Sequence, residues 1–323
     1  SLAARIEGFT ITGGVALIAG GGVRVIDSSI TLVGNTIIDN TSTDEGGGLY
    51  VSGGDTVLID NEFLNNVAAF RGGGAALRDG LPVVRGNLFE GNDALSIDGG
   101  GLYVNDTLGQ ELLIEDNEFR DNDAGDDSGG LHVEQCLGVI QHNLVVGNVA
   151  NDRGGGVHVH TTTGLLRFRN NLVLDNTSTE GAGLFTFTAS PLVDNNTFVR
   201  NVGTSISEPS TMRVFEGTVR NNIIVIESGL AIDDAGSATF DNNDVYAFTG
   251  IEWHDTDRNN IDGNIDDDPE FANFAFSAAV DTWDLHLGPG SPCIDSNSSA
   301  VSLIDFDGSP ADYNRAVIHA RLA

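Results

Sequence analysis

Residues 45–66 read EGGGLYVSGGDTVLIDNEFLNN. A glycine triplet opens the stretch, two short apolar alternations follow, and an Asn-x-Phe-x-x-Asn run closes it. The same sentence returns along the chain. Glycine clusters begin at Gly20, Gly46, Gly72, Gly99, Ser128, Gly154 and Gly181, separated by 26, 26, 27, 29, 26 and 27 residues. A second beat runs through Asn35, Asn61, Asn87, Asn117, Asn143, Asn171, Asn196 and Asn222, with weaker copies at Asn243 and Asn264. A period in this range signals a solenoid, a propeller or an array.

The pattern inside one unit selects among these. Apolar residues alternate in short runs bounded by Gly, Asn and Asp, which reads as strands, and helical spacing is missing from the repeat. Three residues before each beat Asn stand Leu32, Leu58, Val84, Ile114, Ile140, Phe168, Val193, Val219 and Phe240. Two residues after it stand Ile37, Phe63, Phe89, Phe119, Val145, Val173, Phe198, Ile224 and Val245. Both columns stay apolar, so both face a core. The expected fold is all-β: a single-stranded parallel β-helix of about ten coils with three short strands per coil. Coils stacked at about 4.8 Å would superpose like residues, giving continuous apolar columns and Asn-to-Asn amide ladders along a rod roughly 50 Å long. One coil cannot bury its own core face, which is why the sentence repeats. A propeller blade needs a longer period, and the calcium-binding nonapeptide run is missing.

The repeats are expected to occupy residues 1–262. The beat dissolves after about Asn260, and residues 263–323 are expected to form an irregular cap over the open end of the last coil. The chain opens in mid-coil at SLAARIEGFT, so it is expected to be part of a longer parent chain. The formal charge is −32, from 47 acidic residues against 15 basic ones, and every basic residue is Arg. Such a surface repels nucleic acid and anionic membranes. No apolar run reaches the length of a membrane span. Cys136 and Cys293 are too remote in the repeat scheme to be expected as a bridge.

The motifs resemble those of a known group. GGGL paired with FLNN (63–66), FEGN (89–92), FRDN (119–122) and FVRN (198–201) is similar to the GGA[ILV] and FxxN tetrapeptides of polymorphic outer-membrane protein adhesins, with Gly in place of Ala. The opening IEGFTITGG and the tail GPGSPCID…DFDGSP look like the wider class of secreted right-handed β-helix repeat proteins of pectate-lyase-like fold. The resemblance implies a right-handed coil and an extracellular or cell-surface setting. It also implies either a non-catalytic adhesin or binding module for a glycan or protein, or a polysaccharide lyase acting on uronate polymers.

Function on such a rod must sit on outward residues. The first strand of each coil is expected to expose Arg24, Tyr50, Tyr103, His132, His158 and Phe185 one above another, a face suited to sugar rings or a protein partner. In the lyase reading, Arg78 neutralises a substrate carboxylate, with His132 and His158 nearby for proton transfer. LHVEQC and VHVHTT are expected to set His132, Glu134, His158 and His160 in a two-by-two patch of transition-metal ligand types, zinc above all. Asp93, Asp98, Asp123, Asp126 and Asp127 crowd the inter-coil turns as candidate Ca²⁺ ligands, and Asp305, Asp307 and Asp312 form a further acidic run in the tail. The fold itself requires no cofactor. No catalytic signature points to an enzyme, and the favoured reading is a surface rod that binds along one face.

Overall fold

The computed structural model describes residues 4–105, 107, 109–205, 210–234, 236–288 and 290–293. The chain winds into a parallel β-solenoid with three faces, whose sheets hold 18, 10 and 8 strands. Eight coils contribute to all three faces, and two later coils add strands to the first and second only. The coil that opens at Leu49 is typical. Strands Leu49–Ser52 and Thr56–Ile59 lie in the first sheet, Glu62–Leu64 in the second and Val67–Ala68 in the third. The first face therefore carries two strands where one was expected, bent apart at Gly53 with its positive φ of 74°. In two neighbouring coils the strands are continuous through this bend, Leu131–Gln141 and Val157–Arg169, with Gln135 and Thr161 in the left-handed region at φ of 53° and 51°.

Register follows the sequence columns. Phe63 pairs with Ile37 on one side and Phe89 on the other, and Phe89 pairs with Phe119. Their rings stack inside the rod at 4.7 and 5.0 Å between centroids, with nearly parallel planes. Under the third face the coil is too narrow for large groups, and the inward positions are Ser42, Ala68, Ala94, Ala124, Ala150 and Ser178, all buried.

Two asparagine ladders hold the corners. Each backbone N–H and each Nδ2 of Asn61, Asn87, Asn117 and Asn143 donates to Oδ1 of the Asn in the next coil, at 2.9–3.0 Å. The second ladder, through Asn40, Asn66, Asn92, Asn122, Asn148, Asn176 and Asn201, repeats the pattern at the next corner. The residue before each first-ladder Asn turns the corner in the left-handed region. Asp60, Asp116, His142, Asn170 and Asn195 have φ between 51° and 57°, which explains why short polar residues recur there. In the glycine triplet Gly46 is left-handed as well, with φ 64°, but its neighbour has a different reason. A Cβ on Gly47 would lie 2.4 Å from the Gly73 carbonyl oxygen, so adjacent coils meet backbone to backbone.

The ends depart from expectation. The open end of the last coil is closed by residues 253–264. Trp253 donates to Asn259, the Arg258 guanidinium lies 5.1 Å from the Phe240 ring, and Asn264 finishes the first ladder. The described part of the tail that follows, up to Cys293, does not cap the end. It folds back along the side of the rod as a small antiparallel pair, Phe271–Asn273 with Asp284–Leu287. Trp283, Leu285 and Cys293 then pack on the outward side chains of the second sheet, among them Leu144, Leu172, Leu174, Val199 and Val225. Earlier coils set one apolar outward residue beside a polar one, as in Thr36 with Ile38, Glu62 with Leu64 and Leu88 with Glu90. Leu144 with Val146 and Leu172 with Leu174 are instead apolar at both positions, and that stripe is what draws the tail sideways. Cys136 and Cys293 are both buried and are not bridged to each other. Asp305, Asp307 and Asp312 lie outside the described residues.

Candidate functional site

The first strands of the first sheet superpose as expected. Tyr103 is the register partner of His132, His132 of His158, and His158 of Phe185. The expectation that this column is open to solvent is corrected. Arg24 is exposed and Tyr50 half-buried, but Tyr103, His132, His158 and Phe185 are each 3 % exposed or less. The glycine-rich turn that precedes each strand folds back over the column. Arg71 and Arg78 place their guanidinium groups 5.4 and 5.0 Å from the Tyr103 ring, and Arg153 lies 5.3 Å from that of Phe185. Further along the same face, the outward neighbour of Arg213 is Asp233.

An ion-pair lattice lies over the buried rings. Glu45 receives Arg78 through two hydrogen bonds, 2.6 and 2.5 Å long, and Arg71 at 3.3 Å. Arg71 also donates to Asp98 at 3.2 Å. Burial pushes the Asp98 carboxyl up to about 6, against the opposing pull of Arg71. Glu180 and Asp233 hold Arg213 in the same manner. Arg78 is thus committed to a carboxylate of its own chain, which is at odds with its role in the lyase reading.

The histidine patch forms where the two strands of the first face join into one. Glu134 is the register partner of His160. One donor atom each from His132, Glu134 and His160 lies within 4.8 Å of the others. His158 does not join them. Its Nδ1 stands 3.1 Å from Asp127 Oδ2, close enough for charge pairing although not aligned as a hydrogen bond. The expected four-residue patch is therefore a three-residue one, because the turn above His158 supplies a competing carboxylate. Burial, reinforced by His158, His160 and Arg71, holds His132 well below the ordinary histidine range, so its imidazole is neutral. Tyr103 donates to Glu134 at 2.7 Å, and burial with that hydrogen bond pushes its phenol well up.

The five aspartates expected to gather for Ca²⁺ separate instead. Asp93 and Asp123 are register partners in the third sheet, and Asp98 belongs to Arg71. Among the described residues, Asp126 and Asp127 form a three-carboxylate group with Asp152, which the sequence reading missed. Beyond His160 the surface opens. Phe187, 49 % exposed, lies 5.7 Å from His160 and 5.9 Å edge-on from Phe215. Phe215 also escaped the sequence reading, since its coil has an irregular spacing.

A chain wound in one parallel register, with amide ladders in its corners and small side chains under its narrow face, is a parallel β-solenoid. The model of the family described as "Right handed beta helix region" matches residues 2–173, more than half of the chain, and the protein belongs to that family. Neither curated proteins nor solved structures gave a match.

Proposed function

We propose that this protein is a non-catalytic β-helical rod that binds a glycan or protein partner along its first sheet, in an extracellular or cell-surface setting. The observation that carries this reading is the open aromatic edge beside His160, made by Phe187 at the end of a strand paired on both sides and by Phe215 in the bend after the next strand. Rigid, partly exposed rings offer large contact area at little entropic penalty on binding. The setting and the adhesin-like role rest on the resemblance of the GGGL and FxxN repeats to surface adhesins. The surface charge of −32 argues against polyanionic partners, and Arg78, held by Glu45, is poorly placed to receive a uronate carboxylate.

A glycan array and a surface-protein panel, run beside a lyase assay on uronate polymers, test the proposal. Binding without unsaturated product, lost in Phe187→Ala, is expected. Ultraviolet-absorbing product would overturn it, and binding that ignores Phe187→Ala would remove the patch from it.

A further inference from the structure

The geometry points to a site for one first-row divalent transition ion, zinc foremost, held by His132, Glu134 and His160 with a fourth position open to solvent. The inference is independent of the partner-binding reading.

The backbone already sets the three ligands on one surface. His132 and Glu134 are two apart on one strand and point the same way, and His160 is Glu134's partner on the next strand. Glu134 Oε1 lies 3.7 Å from His160 Nδ1. A tetrahedral ion with bonds of about 2.1 Å holds its ligand atoms about 3.4 Å apart. Small side-chain rotations therefore close the site without moving the strands.

An independent sign comes from His132. It is 2 % exposed, yet neither ring nitrogen has a hydrogen-bond partner among the described residues. Buried polar atoms nearly always have a partner, and an ion between the three side chains would supply one. The carboxylate is already oriented for that role. Tyr103 binds Oε2 of Glu134, leaving Oε1 toward His160, as outer hydrogen bonds orient metal ligands. Two imidazoles and one carboxylate suit zinc and its neighbours better than calcium, which prefers an all-oxygen shell. His160 and Glu134 are half-buried, so an ion can enter from solvent.

The test is calorimetric titration of untagged, chelator-treated protein with ZnCl₂, paralleled by Co²⁺ absorption spectra. One ion per chain and the visible bands of a four-coordinate Co²⁺ complex are expected. His160→Ala and Glu134→Gln each weaken binding by more than about tenfold, and Tyr103→Phe, which removes only a positioning hydrogen bond, by about tenfold. His160 is part-exposed, so His160→Ala retains the fold, as circular dichroism will verify. No heat with Zn²⁺ and no Co²⁺ spectrum would overturn the site. So would binding that survives His160→Ala but is lost in Asp152→Asn, since the ion would then sit on Asp126, Asp127 and Asp152.

Discussion

Asn117 shows how much one side chain does in this fold. Its Oδ1 accepts both the backbone N–H and the Nδ2 of Asn87, and its own Nδ2 donates to Val84, Glu115 and Asn143. Asn117→Ala leaves the backbone N–H of Asn87 without its acceptor in a dry corner and removes one hydrogen bond each from Asn87 Nδ2 and from the Val84 and Glu115 carbonyls. An unsatisfied buried donor is worth about 1–3 kcal/mol. A loss of roughly 3 kcal/mol is expected, seen as a lowered urea midpoint. An unchanged midpoint would mean that water replaces the amide. Sequence alone placed this ladder, because an amide donates and accepts along one line and so favours its own kind one coil away. Tyr103, His132, His158 and Phe185 were harder to read. Alternation states which side chains leave the core but not what lies over them. Their cover is a turn whose Arg and Asp side chains reach across, a matter of turn geometry rather than of period.

The tail is the element whose behaviour is most open to test. Arg200 pairs with Asp175, donates to the carbonyls of Phe276 and Ala278, and lies 4.5 Å from the Trp283 ring. Arg200→Ala should loosen the tail, red-shift Trp283 fluorescence and speed proteolysis near Phe276, with the strand content of the coils unchanged. Cys293 Sγ lies 2.7 Å from Asp244 Oδ2, and burial pushes that carboxyl up to about 7, with Asp266, Asp267 and Asp268 adding to the rise. The detached tail leaves Asp244 near its ordinary value of about 4. The docked state therefore holds the extra proton between about pH 4 and 7, and its stabilisation is fully present below that window and lost as pH rises through 7. Tail proteolysis at pH 8 should exceed that at pH 5, and Asp244→Asn should abolish the difference. Equal rates in the unaltered chain would show that Asp244 stays ionised under the tail.

At the scale of the molecule, the net charge of −32 is spread over a narrow rod, so carboxylates on successive coils repel one another. Asp93 and Asp123, directly paired in the third sheet, are one such contact, and burial with Asp123's charge raises the Asp93 pKa. Screening at 1 M NaCl, where the Debye length is about 3 Å, should raise the melting temperature by several degrees. A melting temperature that falls instead would mean that the Glu45, Arg71, Arg78 and Asp98 lattice outweighs the repulsion, because salt weakens attraction as well. In a stacked rod each coil contacts only its neighbours, so the damage from Asn117→Ala should be felt mainly in the coils beside it.

The amino-acid sequence by itself determined the coil, its register and its corners. These depend on contacts between identical positions one period apart, and a repeated sequence writes such contacts down directly. Only the tertiary structure decided which outward residues meet solvent, that His158 goes to Asp127 rather than to its histidine neighbours, and that the tail lies along the side of the rod. Those outcomes rest on contacts between unlike positions, turn against strand and tail against sheet, for which no periodicity exists to be read.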